Sequence, residues 1–365
     1  MRHLLLLAFV LTGCATDDPA SGFDKEQAAA DADAAPEDGK ADGFDVCSFA
    51  GWYGDGVCDR FCARLDEDCP VAGAEPAGVA TQYPIVLHHG MAGGRSWILT
   101  YSGIREALVA DGHVVVQTQV PPFDSVEVRG AALAQAIDET LRTTGATKVN
   151  LIAHAMGGLD ARYVITTLGY GDRIASLTTM STPHRGAALA DFALELSPGD
   201  LILNAIALVV GASVSDVGND PHLRGALAAM AEANAAGFNA RTPDDSRVYY
   251  QSWSGVSSVL GSTSDRSRVA GICENKLANI LPGTFDKMRI EFAPFASIVG
   301  HNGSQPSDGM VTVASAKWGT FMGCVPGDHS DEIGRMTTGR PNPRTSWDPQ
   351  RFWRGVAFDL AARGY

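Results

Sequence analysis

Basic residues are scarce. Lys and Arg number 28 against 42 Asp and Glu, a net charge of −14. Binding to nucleic acid needs clustered cations, so nucleic acid is excluded as a partner. Long apolar runs are missing after the first dozen residues. The longest, Leu201–Val210, is half the roughly 20 residues that cross a bilayer. Paired C-x2-C hooks are also absent, which argues against a structural zinc site. Charged residues make up 19% and hydrophobic ones 45%, a globular balance. A chain of 365 residues suits one large domain with additions.

The acidity is local. Residues 15–75 hold sixteen acids and four bases, leaving 26 acids and 23 bases in 76–365. The main body is nearly neutral. Met1-Arg2-His3 is a basic start, and Leu4–Leu11 is an apolar run of signal-peptide length. Leu11-Thr12-Gly13-Cys14 resembles the bacterial lipobox. That resemblance implies a signal peptide over 1–13, cleavage before Cys14 and lipidation of Cys14. The expected product is an exported cell-envelope lipoprotein on the periplasmic or extracellular side, held to a membrane by its anchor. Residues 14–45 carry little aliphatic content beyond alanine and read as an acidic, solvated tether.

Six cysteines remain after Cys14, an even number that fits disulfides in an exported chain. Cys47, Cys58, Cys62 and Cys69 crowd into a short stretch and are expected to pair among themselves. They would staple a small module over 46–70 that is too short to bury a core. Cys273 and Cys324 stand alone in the main body and are expected to pair with each other.

From residue 80 to 365 the pattern alternates strand and helix. Strands are expected at 84–89, 113–120, 148–153, 174–180 and 247–253. Helices are expected at 97–110, 130–144, 157–168 and 352–362. Leu133, Ile137 and Leu141 follow the i, i+4, i+8 spacing of an amphipathic helix. Alternation of this kind implies a mostly parallel central sheet with helices on both faces, an α/β fold. Residues 187–240 break the rhythm with an Ala- and Leu-rich segment. It reads either as a helical cap over an apolar site or as plain core helices.

Val149-Asn-Leu-Ile-Ala-His154-Ala155-Met156-Gly157-Gly158-Leu-Asp-Ala-Arg162-Tyr163 places a strand, a sharp turn and a helix in sequence. Small residues flank the turn, as a tight strand-to-helix bend requires. This stretch resembles the elbow of the α/β-hydrolase fold, specifically that of the bacterial secreted triacylglycerol lipases, which reads H-S-x-G-G-L-x-x-R-Y. Ile85-Val-Leu-His88-His89-Gly90-Met91 resembles the family's oxyanion loop, and Ser181-Thr-Pro-His-Arg-Gly186 its turn after the following strand. Phe238-Asn-Ala-Arg241 and Tyr249-Tyr250 through Gly255 echo the family as well. Ser307-Asp308-Gly309 and Asp328-His329-Ser330-Asp331-Glu332 resemble the loops carrying the acid and the histidine of its triad.

The resemblance implies an ester hydrolase acting on lipids or other esters with apolar acyl chains and requiring no cofactor for chemistry. Position 155 would be the nucleophile, Asp308 the acid and His329 the general base. The backbone N–H groups of Met91 and Met156 would form the oxyanion hole. In these lipases the Asp two residues after the histidine, here Asp331, binds a structural Ca²⁺ helped by a Gln four residues on. Arg335 occupies that later position, which argues against the calcium site, and Asp265 is a candidate further ligand. A dedicated folding chaperone is a partner that the sequence leaves unspecified.

One position departs from the pattern. The apex is Ala155, which has no Oγ and forms no acyl-enzyme. Three accounts stand: a deliberate replacement of the nucleophile, a natural pseudoenzyme that binds hydrophobic acyl or ester ligands, or hydrolysis by water activated at His329. A relative of extracellular polyester depolymerases, with a more open cleft, is the neighbouring enzymatic reading.

Overall fold

A computed structural model describes residues 53–54, 66–67, 80–93, 101–196, 221–261, 266–275, 285–334, 342, 345 and 347–365. All of them belong to one unit, Val46–Tyr365. Cys14, the tether, the four clustered cysteines, Leu201–Val210, Asp265 and Arg335 lie outside the described residues. No described helix is long and apolar enough to cross a membrane.

The described elements run β1 (Ile85–His88), α1 (Ile104–Ala110), β2 (Val115–Gln117), α2 (Val126–Thr144), β3 (Val149–His154), α3 (Gly157–Thr166) and β4 (Ile174–Met180). Then come α4 (Ala188–Glu195), α5 (Pro221–Met230), α6 (Glu232–Arg241), β5 (Tyr249–Gly255), β6 (Ser257–Ser258), α7 (Arg266–Ile272) and β7 (Asp286–Lys287). The chain closes with α8 (Ala296–Val299), α9 (Val313–Ala316), β8 (Thr320–Val325) and α10 (Pro349–Ala362). Six strands form one sheet in the order β2-β1-β3-β4-β5-β8, every neighbour parallel. β6 and β7 pair separately.

Strand residues alternate between two cores, as a period of two requires. Ile85, Leu87, Ile152 and Met180 face one core with Ile104 and Leu108 of α1 and Trp353, Val356 and Leu360 of α10. Val86, Leu151, Ala153 and Leu177 face the other with Leu133 and Ile137 of α2 and Ala161, Val164 and Ile165 of α3. Both faces are thus covered, which is why the strands read as apolar runs. Each fully buried aliphatic side chain contributes about 1.5–3 kcal/mol. The described helices of the 187–240 segment join the first core through Leu189, Ala193, Leu223, Leu227 and Met230.

Two helix starts are set by local signals. α2 begins at Val126, earlier than expected, because Ser125 accepts a hydrogen bond from Val128 N and caps the helix. α1 begins at Ile104, after a break at Gly103, which sits at φ 68°, outside helical space; the expected start at 97 lies outside the described residues. β8 was not expected. The Cys273–Cys324 disulfide is present and ties the residue after α7 to β8.

Candidate active site

The parallel sheet delivers β3 to a bend. Ala155 takes φ 53°, a left-handed conformation that costs a non-glycine residue energy. Its N–H donates to Met180 O on β4 at 2.9 Å, and α3 starts two residues later. Residue 155 is therefore held at the crest of a strained turn, with its backbone direction fixed by the neighbouring strand.

The loop after β1 lies against that crest. A Cβ on Gly90 would sit 2.6 Å from Ala155 Cβ, 3.0 Å from His154 O and 3.4 Å from Met156 N. Only a glycine permits this approach. It brings Met91 beside the first residues of α3, where helix N–H groups carry partial positive charge. Ala92 N donates to Pro122 O at 2.8 Å and fixes the far end of the loop.

Asp308 and His329 meet. His329 Nδ1 lies 2.7 Å from Asp308 Oδ2, and His329 N donates to Asp308 O at 3.0 Å, so side chain and backbone lock together. Asp308 is fully buried, and its Oδ1 accepts from Met310 N and Val311 N, each at 2.7 Å. Burial opposes ionisation of this carboxyl. The His329 imidazole and the backbone donors outweigh that, and hold it below the ordinary carboxylate range. With Nδ1–H donated to Asp308, the histidine presents Nε2 as its basic atom. Its ring centroid lies 4.4 Å from that of His154, the residue just before the crest.

Sequence reasoning missed a second buried acid. Glu332 Oε2 lies 3.0 Å from His154 Nε2, and Glu332 Oε1 accepts from Ser181 Oγ at 2.6 Å. Burial first, and then the Asp308 charge, push the Glu332 carboxyl well above its usual range. Burial and His329 push His154 well below its own. The two groups tie the elbow, the turn after β4 and the histidine loop into one network. The only sequence signal was position: Glu332 stands three residues after His329.

A second acidic group lies behind the histidine loop. Asp286, Asp328 and Asp331 are buried, and one oxygen of each falls within 4.8 Å of the others. Burial and neighbouring carboxylates raise Asp286 to about 7 and Asp331 to about 9. Asp286 Oδ2 and Asp331 Oδ1 have no hydrogen-bond partner. Three buried carboxylates, two of them with an oxygen that has no hydrogen-bond partner, fit a hard, oxygen-preferring ion, and the Arg289 guanidinium offsets part of the charge at Asp331. Asp331 was expected here. Asp286, 45 residues upstream, was not.

Sheet, elbow and acid–histidine pair together define an α/β-hydrolase with the scaffold of a carboxylic ester hydrolase. Residues 124–196 match the PGAP1-like alpha/beta domain. A triacylglycerol lipase of Burkholderia plantarii is 30% identical over 305 residues, covering 73% of this chain and 83% of that protein. A triacylglycerol lipase of Pseudarthrobacter phenanthrenivorans is 30% identical over 295 residues, covering 70% of this chain and 90% of that one. The solved structure of a Bacillus licheniformis lipase in its mature form superposes with a TM-score of 0.51 at 20% identity, over 74% of this chain and 92% of that one. The chain belongs to the triacylglycerol lipase family.

Proposed function

We propose that this chain is a lipase-type carboxylic ester hydrolase whose nucleophile position holds Ala155, so that it binds esters with apolar acyl chains and scarcely cleaves them. One observation carries the reading: the 2.7 Å contact between Asp308 and His329 beside a strained crest at residue 155. Asp308 fixes the His329 tautomer and stabilises the imidazolium; His329 Nε2 takes a proton from the attacking group and later gives one to the leaving alcohol. Met91 N–H and Met156 N–H receive the oxyanion. Without Oγ no covalent intermediate forms, and the site retains binding and the oxyanion donors alone.

Asp286, Asp328 and Asp331 hold a structural Ca²⁺ in this reading. The ion supplies charge compensation and fixes the loop that carries His329. The export signal and the lipid anchor at Cys14 deliver the domain to the cell envelope.

The test is Ala155→Ser, assayed on p-nitrophenyl esters of graded chain length. Loss of the serine in such triads costs about 10⁶-fold in rate. The serine variant should therefore gain at least about 10³-fold, with preference for long acyl chains. A folded, disulfide-bonded serine variant with no gain overturns the reading.

A further inference from the structure

Beneath the loop after β1 lies a buried ionic cluster that the proposed chemistry does not use. Asp160, on the first turn of α3, His88, at the end of β1, and Arg129, on the first turn of α2, are each fully buried. Asp160 Oδ2 accepts from Arg129 Nε at 2.8 Å and lies 3.0 Å from His88 Nε2. Arg129 Nη2 lies 2.8 Å from the same Asp160 oxygen and donates to His89 O at 2.8 Å, and Nη1 donates to Pro121 O. His88 Nδ1 meets Thr118 Oγ1 at 2.8 Å.

We infer that Asp160 is a positioning residue that sets the oxyanion loop against the elbow, an inference that rests on the ester-hydrolase reading. Asp160 N donates to Met156 O, so the carboxylate is built on the same helical turn as one oxyanion donor. Through Arg129 it grips His89 O, two residues before the other donor, Met91. Through His88 it grips the end of the strand from which that loop springs. One carboxylate thus measures the distance between two N–H groups that belong to separate elements. A planar guanidinium donating in three directions fixes angle as well as distance. A cluster of this kind is costly to bury, and apolar residues of similar volume are often as stabilising. Its distinctive contribution is therefore geometric.

The experiment has two arms. In the chain as it stands, Asp160→Ala should raise amide exchange of residues 89–93 at least tenfold while leaving β4 and β5 protected. In the Ala155→Ser background, the same change should lower kcat about 30- to 100-fold with KM within about threefold, since displacing a donor by about 1 Å costs on the order of 10² in rate. Asp160→Asn, which keeps an acceptor oxygen, should recover part of kcat and replaces the alanine in both arms if that variant fails to fold. Unchanged exchange at 89–93 overturns the inference, as does a kcat within threefold of the parent. An Ala155→Ser protein that is inactive while the exchange response persists instead sinks the ester-hydrolase reading and leaves the positioning role standing.

Discussion

His154 and Glu332 are 178 residues apart in the chain and share a buried hydrogen bond at 3.0 Å. The same carboxyl accepts from Ser181 Oγ, whose oxygen in turn accepts from Gly255 N at 3.1 Å. Four segments that end at the carboxyl edge of the sheet are thereby joined by one side chain. Ligands of open α/β sheets bind at this edge, so a fastening here bears directly on the site.

The fastening gives a prediction. Glu332→Gln keeps an acceptor for Ser181 and a donor for His154, and should cost less than about 1.5 kcal/mol. Glu332→Ala strips both partners and leaves two buried polar groups unpaired, which costs about 2–4 kcal/mol. Urea unfolding of the two variants measures the difference. Equal losses would mean that the side chain acts by filling space and not by bonding.

The strands and helices around the elbow were legible because their cause is local. Val149–His154 is a fully buried strand carrying Val149, Leu151, Ile152 and Ala153, and Leu133 and Ile137 mark a helix face at their own spacing. The family motifs then placed Asp308 and His329 within a short list of residues, and the two do meet. What was hidden depends on distance along the chain. Asp286 means nothing until β7 folds beside the loop of Asp328 and Asp331. Thr320–Val325 became a strand because β5 offered it a parallel partner. Ser125 was readable as a cap, and a search for cap residues upstream of Gly130 would have found the true start of α2.

Acid should unfold this protein partly through buried histidines. Burial, with help from His88 and Arg129, pushes His89 down to about 3. Unfolded, that imidazole takes a proton near pH 6.5. Between those values the unfolded state binds more protons, so stability is present above pH 6.5 and is lost as pH falls. One such group withdraws about 1.4 kcal/mol per pH unit. His89→Gln should reduce the slope of unfolding free energy between pH 6 and 4 by about that amount. Urea titrations at three pH values would read it, and an unchanged slope refutes the assignment.

Metal removal should weaken the fold. Asp286 Oδ2 and Asp331 Oδ1 have no protein partner, so the calcium reading leaves them to the ion. A ligand at 100 times its Kd stabilises the state that binds it by about 2.7 kcal/mol. Millimolar Ca²⁺ should raise Tm over the EDTA-treated protein by several degrees, and Asp286→Asn with Asp331→Asn should abolish the rise. Magnesium should act more weakly, because it prefers to keep its waters. A Tm indifferent to calcium would remove the ion from the account.

Gly90 offers the sharpest test of the site's geometry, because its environment leaves no room for adjustment. An added Cβ would meet Ala155 Cβ at 2.6 Å and the His154 carbonyl at 3.0 Å, both on the strained crest. The crest is pinned by the bond from Ala155 N to Met180 O, so the loop must move instead. Moving it carries Met91 N–H away from Met156 N–H, the two groups proposed to receive the oxyanion. In the Ala155→Ser background, Gly90→Ala should lower kcat/KM at least about 10²-fold, the effect expected for losing one oxyanion donor. Overpacking should also cost about 1–3 kcal/mol of stability. If the variant keeps full activity, the loop after β1 is not the element that receives the oxyanion. The same substitution in the chain with Ala155 should weaken binding of long-chain ester analogues only slightly, because ground-state binding there relies on apolar contacts and not on those donors.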